Sequence, residues 1–166
     1  RHGPGGADAG TGTGTGTGAR GRLMDGGSML ERLSARERGP AVHLLGHRLL
    51  ACDAAAQSVR VAYSGKAEFC NPMGRVQGGF LAAMLEQAMI DAIYCAAGLD
   101  AGAVTLELET QFLAPVSPGP ISVEAHVTRL GRSIAFLAGQ LQDGNANLCL
   151  TGSAVALLQP PGETGG

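Results

Sequence analysis

The stretch NPMGRVQGGFLAAMLEQAMIDAIYCAAG, Asn71 to Gly98, decides the fold. A turn around Pro72 and Gly74 leads into the paired glycines Gly78 and Gly79, and from Phe80 to Ala97 almost every side chain is apolar. Such a run, ended by Gly98, predicts one long helix buried on most of its surface. At about 100° per residue, Gln87 and Asp91 share a face, while Glu86 lies about 100–140° from both. The neighbours of Glu86 one turn away are Gly79, Ala82, Ala83, Met89 and Ile90. A carboxylate in such a setting is rarely buried unless something pairs with it or uses it. Glu86 is therefore the first candidate for chemistry. Charge in mid-helix also favours the core helix of a soluble protein over a membrane span.

Working outward, the helix is flanked by strands. Before it, SMLERLSARERG predicts a short amphipathic helix capped at Ser28 and stopped at Gly39-Pro40, followed by a hairpin of His43–Cys52 with Gln57–Tyr63. After it, Val104, Leu106, Leu108 and Phe112 alternate with Thr105, Glu107, Glu109 and Gln111, which puts Thr105 on the polar side of its strand. Three more strands follow, within 121–127, 133–141 and 148–158, divided by turns at Leu130-Gly131 and Asp143-Gly144-Asn145. One apolar helix against five or six mostly antiparallel strands predicts an α+β architecture in which the sheet wraps the helix. Residues 28–159 form that domain, whereas the Gly/Thr-rich segment 1–27 and the tail 160–166 have too few apolar side chains to offset their ordering entropy.

Composition narrows the function. The formal charge is -2, Lys66 is the only lysine, and the arginines are dispersed, so the basic stripe that nucleic acid requires is missing. Cys52, Cys70, Cys95 and Cys149 form no CxxC pair, which predicts reduced core thiols and a cytoplasmic setting. His43 and His47 have one-turn spacing, but no carboxylate accompanies them in sequence, so no metal site is expected.

The segments NPMGRVQGG with FLAAMLE, VTLELETQFLAPV and RLGRSIAF together resemble the hotdog-fold acyl-CoA thioesterases of the PaaI and 4-hydroxybenzoyl-CoA thioesterase type, over about Met29 to Leu158. The family pattern is Asn, a few residues, Gly, two or three residues, His-Gly-Gly, and an acid seven positions after the second Gly. Asn71, Gly74, Gln77-Gly78-Gly79 and Glu86 match it except at Gln77, which stands where His is usual and can brace the same loop by hydrogen bonding. The resemblance implies an antiparallel sheet around a central helix and an acyl-CoA substrate without cofactor. It further implies that Asn71 and Thr105 orient water or substrate, and that Arg129 and Arg132 contact the phosphates of coenzyme A.

The chemistry suits these residues. Glu86 can serve as general base or nucleophile, and the first amides of the helix, at Gly78 and Gly79, lack internal partners and can polarise a thioester carbonyl. Seven residues separate Gly79 from Glu86 by about 10 Å along the axis, too far for one carbonyl to touch both. Two chains with antiparallel long helices would bring Gly78 of one toward Glu86 of the other, giving two composite sites per homodimer; the resemblance implies the same pairing within a homotetramer. Two rivals stand beside this expectation: a hotdog domain that binds an acyl ligand without hydrolysing it, and a hotdog hydratase, which would need a histidine near the helix entry.

Overall fold

The computed structural model describes residues 26–159, and the segments 1–25 and 160–166, including most of the expected flexible ends, lie outside it. Ten segments follow in order: α1 (Gly26–Ser34), α2 (Pro40–Leu44), β1 (Arg48–Asp53), β2 (Ser58–Gly65), a short 3-10 turn (Ala67–Phe69), α3 (Gly78–Ala97), β3 (Gly102–Phe112), β4 (Gly119–Leu130), β5 (Ile134–Asp143) and β6 (Leu148–Gln159). All strands join one antiparallel sheet in the order β1-β2-β4-β5-β6-β3. The sheet curves over α3, which packs chiefly on β4 and β2, while α1 sits across β1 with Met29 and Leu33 buried. This is the hotdog fold the sequence predicts.

The core is the sequence pattern made solid. Leu81, Met84, Leu85, Ala88, Met89, Ala92 and Ile93 of α3 are buried against Val61, Ile121, Val123, Ala135, Leu141 and Leu150 of the sheet. By length and composition α3 could cross a membrane, but half of its most apolar window is buried inside the fold. Two facing glycines set the depth of the helix. Gly139 and Gly152 are paired across β5 and β6, and a Cβ on Gly152 would lie 2.8 Å from a Leu85 methyl and 2.5 Å from the Glu109 carbonyl oxygen. Only bare backbone lets Leu85 settle there, and Glu86 is placed one residue further on.

Three local expectations need correction. Pro40 does not stop the first helix: α1 ends at Ser34, and Pro40 opens α2, where its missing N–H costs nothing. His43 therefore lies on α2 rather than in a strand, and β1 begins only at Arg48, after Gly46 turns the chain at a φ of 70°. Thr105 does not face the polar side, because the register between β3 and β6 slips between Thr105 and Glu107. That bulge inverts the alternation, so Val104 and Leu106 are 45% and 58% exposed while Thr105 turns toward α3. Finally, Cys52 and Cys95 form a disulfide that ties β1 to the end of α3; among the described residues Cys70 and Cys149 remain free.

Candidate active site

The loop before α3 is built by its asparagine. Asn71 accepts at Oδ1 from the amides of Met73 and Arg75, at 3.0 and 3.2 Å, and its carbonyl accepts from Gly74 N–H at 2.9 Å. Its side-chain oxygen thus holds a turn, as asparagine before proline does readily. The loop is fastened to the body by Val76 N–H on the Val116 carbonyl and Gln77 N–H on the Phe69 carbonyl, both at 2.9 Å. Gln77 occupies the cap position of α3 in extended backbone, but its side chain makes no capping hydrogen bond and is exposed. The bracing expected of it falls to backbone bonds.

That leaves the start of α3 uncapped. The first helical turn is closed by Phe80 and Leu81 N–H on the Gln77 carbonyl, and among the described residues the Gly78 and Gly79 amides have no acceptor. They sit at the positive end of a 20-residue helix. Gly78 lines a cavity of about 400 Å³ with Asn71, Arg75, Leu81, Phe112 and Val116. A Cβ on Gly78 would come within 3.0 Å of the Phe112 ring, so the glycine keeps amide and ring together, whereas Gly79 opens to free space.

Further along α3, Glu86 is half-buried and accepts a 2.6 Å hydrogen bond from Thr105 Oγ1. The β3 bulge makes this possible. An oxygen held by a hydroxyl leaves the other carboxylate oxygen free to take a proton or attack. Arg129 and Arg132 are both exposed at the β4–β5 hairpin and form no ion pair among the described residues. The structure therefore joins Glu86 to Thr105, and Gly78 to Asn71 around one cavity, but leaves these two groups on separate turns of the same helix. Met84 and Met89 are fully buried, Tyr94 nearly so, and Phe80 stacks on Phe69.

Sequence reasoning missed a second acid. Asp91 is fully buried, bonded to Arg38 Nη1 at 2.8 Å and to His47 Nε2 at 2.5 Å, with Gln87 Nε2 at 3.4 Å. His47 thus does have a carboxylate partner, drawn from another element. Among the described residues, no cluster of three or more His, Cys, Asp or Glu side chains could hold a metal. Beside Asp91, the Tyr63 hydroxyl is buried without a hydrogen-bond partner among the described residues. Burial first, then the charge on Asp91, push its pKa well above the usual phenol range against the opposing pull of Arg38, and Glu86 adds to the rise.

Comparison with known proteins fits this geometry. A profile described as the thioesterase superfamily matches residues 73–150, which span most of the loop, α3 with Glu86 and β3 with Thr105. A phenylacetic acid degradation-related protein of Ralstonia eutropha JMP134, described as a candidate thioesterase, superposes with a TM-score of 0.70 at 31% identity, covering 78% of this chain and 98% of that one. The PaaI protein from the phenylacetic acid degradation operon of Escherichia coli has the same fold, with a TM-score of 0.73 at 15% identity over 82% and 98% of the two chains. A candidate esterase of Thermoplasma acidophilum is 35% identical over 46 residues, which cover 28% of this chain and only 35% of that protein. The chain belongs to the thioesterase superfamily, with the hotdog fold, and thioester hydrolysis is the chemistry of that class.

Proposed function

We propose that the protein hydrolyses an acyl-CoA thioester to the free acid and coenzyme A, in composite sites shared by two chains. The observation that carries this reading is Glu86, half-buried and fixed by Thr105, on the same helix as the acceptor-free amides of Gly78 and Gly79. Seven residues of continuous helix separate Gly79 from Glu86 by about 10 Å, so a second copy with its helix antiparallel is the simplest way to complete each site. The amides stabilise the carbonyl oxygen as it gains charge. Glu86 takes a proton from water as the water oxygen adds to the carbonyl carbon, or adds to that carbon itself, in which case water afterwards cleaves the mixed anhydride to release the free acid. The C–S bond then breaks and the thiolate recovers a proton. Asn71 and Gln77 border the amides, and Arg129 and Arg132 supply planar donor forks for coenzyme A phosphates.

Pairing is supported by β3, an 11-residue strand bonded among the described residues to β6 alone, with Val104 and Leu106 exposed on either side of Thr105. We extend the proposal to a homotetramer that neither inserts in membranes nor binds nucleic acid, in the cytoplasm. The Cys52–Cys95 bond weighs against a strongly reducing compartment, and the thiol state of the protein in intact cells tests that location. The binding-only alternative draws on Gln77, whose side chain makes no capping bond. The two readings part in one experiment: thiol release from a panel of acyl-CoA thioesters by wild type and Glu86→Ala. Hydrolysis that falls about 10²–10⁴-fold in the variant supports the enzyme. Wild-type binding without turnover would leave a ligand module.

A further inference from the structure

On the side of α3 away from Glu86, the chain between α1 and β1 encloses a cleft of about 230 Å³ whose lining includes Arg36, Arg38, His43, His47 and Arg48 beside Ser34, Val42 and Leu49. Three arginines and two histidines meet there, in a protein with only 12 basic side chains of lysine or arginine. The fold holds two of them rigidly. Asp91, with no exposed surface, grips the Arg38 and His47 side chains, which are only 10% and 3% exposed. One carboxylate does not neutralise three guanidinium groups. Glu37, which lies between Arg36 and Arg38 in sequence, is exposed and forms no ion pair with either among the described residues.

Donors remain in excess. A guanidinium carries five N–H groups. Arg38 uses Nη1 on Asp91 and Nη2 on the Leu33 carbonyl, and Arg36 places Nη1 on the Leu99 carbonyl while its plane lies 3.8 Å over the Tyr94 ring. Arg48 makes no side-chain hydrogen bond among the described residues, and His47 engages Asp91 through Nε2, with no hydrogen bond at Nδ1 among the described residues. Oriented forks with spare N–H groups, an excess of positive charge and a concave wall suit an oxyanion rather than an apolar ligand, and three guanidinium groups can share the several oxygens of a phosphate among them.

We propose that the cleft between α1, α2 and β1 is a binding site for a phosphate group, free or esterified, separate from the thioester site. Asp91 is its positioning residue: it never meets the anion but fixes Arg38 and His47, the two side chains that do. The site does not depend on hydrolytic activity, so its fate and that of the thioesterase reading are independent.

The test is calorimetric titration of the whole chain with inorganic phosphate and, in parallel, with ribose 5-phosphate, at constant ionic strength set with chloride. Wild type is compared with Arg48→Gln, Arg48→Lys and, as a control outside the cleft, Arg60→Gln. Arg48 is exposed, so its variants fold, and circular dichroism checks this. Saturable binding that weakens about tenfold or more in Arg48→Gln, recovers in part in Arg48→Lys and is unchanged in Arg60→Gln supports the site. Binding of the ester alone with the same variant pattern also supports it and assigns the source. Absence of saturable binding by both anions, or equal binding by wild type and Arg48→Gln, overturns it.

Discussion

Tyr63 carries a cost that a single atom could remove. Its hydroxyl is buried with no hydrogen-bond partner among the described residues, and burial together with Asp91 keeps it protonated far above the ordinary phenol range. The sign of the pH effect follows directly. The folded pKa is raised, so the contribution is constant below about pH 10, where the unfolded phenol still holds its proton. Above that, the unfolded chain releases a proton that the folded one retains, and stability falls by up to about 1.4 kcal/mol per pH unit. Tyr63→Phe is expected to be neutral or stabilising by up to about 1 kcal/mol at pH 7, and to flatten the decline in melting temperature above pH 10. Denaturation at pH 7 and pH 11 checks both. An equally steep alkaline decline in the variant would mean that another group governs it. At this scale the sequence was half informative. Glu86 stood out because its neighbours at three and four residues are apolar, which is local information. Asp91 did not, because the partners that let it be buried, Arg38 and His47, lie 53 and 44 residues away.

Between elements, close approach sets the site. Leu85 reaches the sheet through the Gly139–Gly152 pair, and the Glu86–Thr105 bond needs α3 at that depth. Gly152→Ala forces either the helix or β3 aside, so it is expected to cost about 1–3 kcal/mol and to lower turnover more than its loss of stability explains. Thermal unfolding and kcat measured below the transition separate the two effects; full activity at reduced stability would show that the depth of α3 does not set the geometry of Glu86. The second link is covalent. Cys52–Cys95 closes a loop across a separation of 43 residues, which in the chain-entropy view stabilises the fold by about 4 kcal/mol. Denatured, unreduced protein is expected to titrate two thiols rather than four, and reductant is expected to lower the melting temperature. Helix α3 and the strand count were legible because periodicity reports them. The facing of Thr105 was not, because a one-residue bulge reverses every side chain beyond it, and neither was α2, because Pro40 ends one helix as readily as it begins another.

For the molecule as a whole, the proposed composite site puts the amides of one chain beside the acid of another, which the separation of the two along α3 makes testable. Gly78→Pro removes an amide at one end of the helix and Glu86→Ala removes the acid further along. Each variant alone is expected to be inactive. Mixed and allowed to exchange, they should regain activity, because a heterodimer assembles one intact site from the two undamaged halves. A mixture that stays inactive although heterodimers are verified by mass would place both groups in the service of a single chain.

The two borders of the sheet are unlike. The border formed by β1 is six residues long and interrupted between Leu49 and Ala51, whereas that formed by β3 runs for 11 residues. A chain with two long, even borders could add copies indefinitely and grow into a fibre. If two copies pair through β3, as proposed, each uses the longer of the two borders seen among the described residues and leaves the six-residue β1 facing outward. In the proposed dimer, strand addition through β3 would end at two copies, and a homotetramer would then be assembled through faces rather than borders.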